Sequence, residues 1–330
     1  MGQPRRSSRP LRAGAPGRWQ KSCLLTVAHP TLKEGELCHG SFVAYIAVYV
    51  GLLGFASFLE RPVGRGFGAF QLNILMRGGG VAVGVAALLV AHGMALPALP
   101  ALLAGIGIGI ITGIGSICYC LALAYLAVSV VVAFANLYIV VTVLLGMIVL
   151  HEAVTPLKIA SLGVTLAGVL VLSYSPGRHG VQPGEGAATE THWLRPLANL
   201  AAYILLVGTG AFLEKPGLQG LDATQLNALQ AAGLAVVACV ALIVRRDSVS
   251  PDRADLGALM VGMMIGLGSI FYFLGLERLP VSIAAAASNG YMVATVLLSV
   301  LLQHEALGWP KRTGIALTVV GVTLLAYSGH

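Results

Sequence analysis

The residues with chemistry to offer fall in two stretches that repeat each other. Ser129 to Glu152 reads SVVVAFANLYIVVTVLLGMIVLHE, and Ser282 to Glu305 reads SIAAAASNGYMVATVLLSVLLQHE. Eleven of these 24 positions are identical without a gap, where an Ala/Val/Leu-rich composition would match at roughly two or three. Each copy sets one Asn and one Tyr in an apolar run and ends in a His-Glu pair. A carboxamide facing lipid would leave donors and acceptors unpaired, so Asn136 and Asn289 should face the protein interior or a wet cavity. There they would contact a substrate or hydrogen-bond between helices. Tyr138 and Tyr291 lie two residues on, each sharing a helix face with Thr142 or Thr295 at i+4.

Other candidates follow the same duplication. Ser116 with Tyr119, and Ser269 with Tyr272, are i, i+3 pairs on a common face. A hydroxyl and a phenol so placed orient a ligand, while the ring supplies apolar contact; the alternative is a small Ser beside a space-filling Tyr. Arg77 is a charge inside an apolar run, followed by Gly78-Gly79-Gly80, and Ala231 stands at the matching place. It would bind an anionic group, snorkel to the interface or pair with Glu60. Glu60 and Glu214 each precede a basic residue and a Pro, which suits a gating ion pair or a solvated helix end. His151-Glu152 and His304-Glu305 end their spans and are candidates for gating or coupling. No second His lies four residues from either, so a zinc-peptidase helix is rejected. The five cysteines show no metal spacing, and neither a metal nor a cofactor is expected.

The elements that must position these groups are membrane helices. A mean hydropathy of +0.86, with 57% hydrophobic and only 10% charged residues, excludes an ordinary soluble domain, whose charged fraction is about 25%. Ten apolar spans are predicted, near 42–59, 71–91, 101–124, 129–150, 157–174, 197–213, 224–244, 256–276, 281–302 and 311–328. The offset between matching motifs is 153 or 154 residues throughout: Phe58-Leu59-Glu60 with Phe212-Leu213-Glu214, Gln71-Leu72-Asn73 with Gln225-Leu226-Asn227, Tyr174-Ser175 with Tyr327-Ser328. The expected fold is therefore an all-α membrane protein with ten transmembrane helices as two inverted five-helix repeats. An odd number of spans per repeat forces the second to enter the membrane from the opposite side.

The domain reading is a disordered basic N-terminal tail (1–41), a first repeat (42–175), a Pro/Gly-rich linker (176–196) and a second repeat (197–328). Seven of the 20 basic residues lie in the first 33 positions (Arg5, Arg6, Arg9, Arg12, Arg18, Lys21, Lys33). Without interleaved aromatics they do not suggest nucleic-acid binding. Loop charges leave the orientation of the termini open.

With the duplication, the acidic-basic pairs ending spans 1 and 6, and Leu-x-x-Leu-x-Val-Ser before spans 4 and 9 (Leu123 to Ser129; Leu276 to Ser282), the sequence resembles the drug/metabolite transporter superfamily in its ten-helix EamA-like branch. A Glu followed by a Gly-rich last span completes the likeness (Glu152 with Gly163 and Gly168; Glu305 with Gly314 and Gly321). The resemblance implies an exporter or exchanger of small metabolites or drugs, with the substrate between the halves and both termini cytoplasmic. The family usually has Gly where His151 and His304 stand. The small multidrug-resistance relatives carry a proton-coupling Glu where Leu53 and Val207 stand.

The function expected is thus alternating-access transport of a small molecule, neutral, amphipathic or zwitterionic, by a non-enzymatic plasma-membrane exporter surrounded by lipid, monomeric or homodimeric, with no nucleic-acid partner. A receptor or scaffold without transport, and a lipid-modifying membrane enzyme, are the alternatives. An enzyme would need paired carboxylates, a metal cluster or an activated nucleophile within a span, and the sequence displays none.

Overall fold

The computed structural model describes residues 32–63, 69–93, 97–126, 131, 134–152, 155–173, 194–245, 253–303 and 308–327. His304, Glu305, the tail up to residue 31, residues 174–175 of the expected first repeat and 176–193 of the expected linker lie outside them. The chain divides into two compact units, 1–41 and 42–330. Residues 32–41 of the first are helical, where the composition suggests disorder. The second unit holds every residue of the candidate site.

The described helices are α1 (Leu32–Val63), α2 (Ala69–His92), α3 (Leu99–Leu123), α4 (Tyr138–Val149), α5 (Pro156–Ser173), α6 (Leu194–Gly217), α7 (Ala223–Arg245), α8 (Arg253–Leu276), α9 (Val281–Ser288), α10 (Gly290–Gln303) and α11 (Trp309–Tyr327). Six stretches among the described residues are long and apolar enough to cross a membrane, one of them α9 and α10 taken together as Val281–Leu302. Helix starts are written locally. Pro lies in the first turn of α3, opens α5 and precedes α9, positions where its missing N–H costs nothing. Asp222 caps α7: its Oδ1 accepts from Thr224 N at 2.9 Å and Gln225 N at 3.0 Å. Gln225 Oε1 in turn accepts from Asp222 N at 3.3 Å, a capping box.

Two expected spans are not continuous helices. The sequence predicts unbroken helix over 129–150 and 281–302, but a tightened turn interrupts each at its Asn. Ile139 N bonds Asn136 O at 3.3 Å and Met292 N bonds Asn289 O at 3.0 Å, i to i−3 contacts in place of the α-helical ladder.

Helix pairing rests on small residues. In lipid no hydrophobic force drives helices together, so association depends on close van der Waals approach. A Cβ placed on Gly262 of α8 would fall on the Met76 carbonyl of α2, and one on Gly79 on the Leu259 carbonyl. Gly109 of α3 and Gly233 of α7 stand in the same relation, each against the other's backbone. Gly168 of α5 packs on Thr318 of α11, and Gly321 packs on Thr165. Hydrogen bonds recur in the same paired fashion. Thr142 Oγ1 donates to Gly208 O at 3.0 Å, and Thr295 Oγ1 donates to Gly54 O at 3.1 Å.

Gly262→Ala is expected to lower stability by about 1–3 kcal/mol, because the methyl meets rigid backbone. Gly51, whose added Cβ meets nothing within 4 Å, is the control: Gly51→Ala should be neutral or stabilising by up to ~1 kcal/mol. Thermal unfolding of both variants in detergent checks this, and equal midpoints would mean that the α2–α8 contact is not tight.

Candidate functional site

A cavity of about 300 Å³ opens among α1, α2, α3, α4 and α6 to α10. Aromatic rings dominate its wall: Tyr49, Tyr138, Tyr203, Tyr272, Tyr291 and Phe273. Tyr49 and Tyr272 are in contact, with ring centroids 5.2 Å apart. Behind Tyr203 lies Tyr119, at 5.1 Å. These contacts are counterparts in the sequence offset, since Tyr49 matches Tyr203 and Tyr119 matches Tyr272. Tyr138 reaches across to α9, where it is hydrogen-bonded with Ser288.

The polar groups of the wall are distributed unequally. Arg77 of α2 donates from Nε to Asn73 Oδ1 at 3.4 Å, and Glu60 lies near enough for its charge to act on the guanidinium. On α6, Glu214 is 8% exposed, and its Oε1 accepts from Gln230 Nε2 of α7 at 2.7 Å. Asn227, one turn before Gln230, also lines the cavity, and its buried Nδ2 has no hydrogen-bond partner. The sequence offset places Met76 opposite Gln230 and Ala231 opposite Arg77. The cation therefore comes from the first half of the chain and the Glu214–Gln230 pair from the second.

Lys215, next to Glu214, does something different. Its Nζ donates to the carbonyls of Leu276, Glu277 (3.1 Å) and Leu279 (2.9 Å), the unsatisfied end of α8. Consecutive helical residues are about 100° apart, so tying Lys215 to α8 turns Glu214 toward the cavity.

Of the residues singled out in the sequence, Tyr138, Tyr291, Ser269, Tyr272, Arg77 and Glu214 meet at this one wall, together with Leu53 and Val207. Ser116 donates to the Gly113 carbonyl at 2.7 Å, and neither it nor Tyr119 is among the lining residues. Asn136 and Asn289 are also absent from the wall. Both are buried at the tightened turns; Asn289 Nδ2 donates to Ala285 O at 3.2 Å, while its Oδ1 has no partner. The wall also holds groups that are not among the candidates read from the sequence: Tyr49, Tyr203, Gln230 and Ser288, with Asn227, which the sequence marks only as part of a repeated motif. Two signals point to them: Tyr49 and Tyr203 are a matched pair, and Asn227 and Gln230 are an i, i+3 polar pair on an otherwise apolar helix.

The His-Glu ending is also more than an interfacial terminus. Glu152 joins two parts of the chain far apart in sequence. Its carboxylate pairs with Lys158 Nζ at 3.1 Å, the two side chains 10% and 6% exposed. It also accepts from Val281 N at 2.6 Å and from the Ser282 hydroxyl, at the positive end of α9. His151 is exposed, with φ +51°, a left-handed conformation that Gly adopts without steric cost.

With the geometry in place, comparison with known proteins decides the class. Residues 197–327 match the model of the EamA-like transporter family. Over these residues the chain is similar to the EamA-like transporters. The match supports membership of the drug/metabolite transporter superfamily, a membrane location and a small-molecule substrate. A solved structure described as "Crystal structure of protein" shares the fold of this chain, with a TM-score of 0.72 at 19% identity, covering 88% of this chain and 98% of that one. No curated protein matches the sequence.

Two adjacent substitutions probe the end of α4. His151→Gly is expected to stabilise by roughly 0.5–1 kcal/mol, since relief of left-handed strain exceeds the entropy cost of Gly. Glu152→Ala leaves the Val281 N–H and the Ser282 hydroxyl without this acceptor and deprives Lys158 of its carboxylate, at a cost of about 3 kcal/mol. Opposite shifts of the unfolding midpoint at these adjacent positions are the expected pattern; a His151→Gly midpoint at or below that of the parent would contradict it.

Proposed function

We propose that the protein is a ten-helix carrier that exports a small molecule across the plasma membrane by alternating access, with repeats 42–175 and 197–328 inverted relative to each other and joined by 176–196. The observation that carries this reading is the tyrosine-lined cavity enclosed by elements of both halves. Its supporting contacts come in matched pairs: Tyr49–Tyr272 with Tyr203–Tyr119, and Thr295–Gly54 with Thr142–Gly208. A scaffold of equivalent contacts has two similar packings, and exchange between them opens a central site to either side in turn.

The substrate contacts in this reading are Tyr138, Tyr291, Ser269, Tyr272 and Arg77, joined by Glu214, Asn227 and Gln230. The Asn227 Nδ2 donor is the group that a ligand's acceptor would meet. Asn136 and Asn289 act one step back, as the residues about which the broken helices flex. A receptor would need no pair of equivalent packings, and a lipid-modifying enzyme would need an activated nucleophile or paired carboxylates at the wall. The carrier reading uses what the wall has.

Ala211 lines the cavity from α6, and Ala211→Trp would fill it. Metabolite and toxin accumulation should be compared between cells with and without the protein, and between parent and variant. A compound whose export depends on the protein is expected, with about tenfold or greater loss in Ala211→Trp at unchanged membrane abundance, because overfilling excludes the ligand. Undiminished export by the variant would place the path elsewhere.

A further inference from the structure

The charges at the cavity do not balance. Arg77 faces it with Glu60 close enough for the two charges to interact. Glu214 lines the same cavity, deeply buried, and its hydrogen-bond partner is the neutral amide of Gln230. Among the described residues Glu214 forms no ion pair, and its neighbour Lys215 is committed to the carbonyls at the end of α8. One guanidinium against two carboxyl groups gives the cavity and its margin a formal charge of minus one when all three are ionised.

We propose that the substrate is a monovalent organic cation, an amine or quaternary ammonium with an apolar body, and that Glu214 is its counter-ion. This inference rests on the carrier reading of the same cavity. A buried carboxylate is stabilised when a cation of opposite charge joins it in a low-dielectric site. Gln230 fixes one carboxylate oxygen by donating to it, so the other is directed by the geometry of that bond. The rings of Tyr49, Tyr138 and Tyr272 are close enough to Glu214 for their hydroxyls to feel its charge, and all three line the cavity. Aromatic walls attract a cation through the ring quadrupole and accept its hydrocarbon surface. An ammonium carrying alkyl or aryl groups needs both features together. A neutral compound would leave Glu214 without a counter-charge, and an anion would be repelled by it. The asymmetry of the halves has a use in this scheme: the positions equivalent to Gln230 and Ala231 hold Met76 and Arg77, so the cation site is built once, on the α6–α7 side.

The full chain in lipid nanodiscs should be titrated calorimetrically with benzyltrimethylammonium, with neutral N,N-dimethylbenzamide and with phenylacetate. The cation is expected to bind at least about tenfold more tightly than either of the others, as one favourable charge contact requires. Glu214→Gln should erase that preference, while Glu214→Asp, which keeps the charge, should retain part of it. No binding of the cation by the parent protein, equal binding of the neutral probe, a preference for phenylacetate, or undiminished cation binding by Glu214→Gln would each overturn the assignment. Counterflow of labelled benzyltrimethylammonium in proteoliposomes distinguishes a failed counter-ion from a failed carrier. Glu214-dependent binding without counterflow sinks the carrier reading and leaves the counter-ion in place. Export of another compound by a parent protein that does not bind the cation sinks the counter-ion and leaves the carrier.

Discussion

The structure depends on helices coming so close that backbone touches backbone. Apolar side chains gain nothing by leaving lipid for one another, so the bundle must draw cohesion from packing contacts and from hydrogen bonds that lipid cannot offer. The glycines of α2, α3, α7 and α8 supply the first. Gly79, Gly109, Gly233 and Gly262 each sit where a methyl would collide with a facing main chain. The threonines supply the second. Thr142 and Thr295 donate both to the carbonyl four residues back in their own helix and to a glycine carbonyl of another. A hydroxyl that bridges two helices in this way needs the partner to be a glycine, since a side chain there would hold the backbones apart.

Those contacts are also what positions the site. Gly208 packs against the Tyr138 carbonyl and Gly54 against the Tyr291 carbonyl. Thr142 and Thr295 lie one turn further along the same helices. The two tyrosines are therefore pinned at their main chains, immediately after the turns that break their spans, and their rings are left to form the wall. Interrupting the helix at Asn136 and Asn289 frees carbonyls and amides from the regular ladder, which is tolerable in a membrane only where protein or a wet cavity surrounds them. Here protein surrounds them, Asn136 and Asn289 being 4% and 0% exposed. For the same reason these carboxamides are buried although they are not at the wall: they stand among backbone groups that the tightened turns leave irregular.

Much of this is legible in the sequence, for reasons that differ from residue to residue. Hydropathy locates the apolar runs because a membrane helix is selected by composition over about twenty residues, a signal too large to be masked by local detail. The 153 to 154 residue offset locates equivalent positions, and with them the family likeness that the match at 197–327 supports. Facing is harder to read. Depth in its span singles out Asn289, but its neighbours Ser288 and Tyr291 reach the cavity, because a step of one residue turns a helix by about 100° and no soluble face fixes the phase. Glu214 reads equally well as a solvated helix end, since Pro216 comes two residues later. Its inward position is set by what Lys215 does on α8, a contact between residues more than sixty positions apart, and no local pattern announces that. Glu152 is the same case at greater range, its hydrogen-bond donors lying 129 and 130 residues away.

A duplicated scaffold carries an unduplicated set of charges because motion and recognition make opposite demands. In the proposed carrier, a pair of equivalent halves would make two packings nearly equal in energy, so that a small difference in ligand affinity shifts the population. The tyrosine pairs and the threonine–glycine bridges supply matched contacts on the two sides for such an exchange. Recognition has the opposite requirement. A ligand with one charged end needs one counter-charge, and a second identical carboxylate at the matching place would be left uncompensated in a poorly solvated site, at a cost that grows as the dielectric falls. In the proposed carrier both demands would be met by dividing them between residue types. Rings, glycines and hydroxyls, which tolerate repetition, repeat; Gln230 and Arg77, which set the polarity of the cavity, do not. Glu60 and Glu214 are the exception that fits the rule, because the first has Arg77 beside it and the second has only a neutral amide, so a repeated carboxylate has been given two different electrostatic settings.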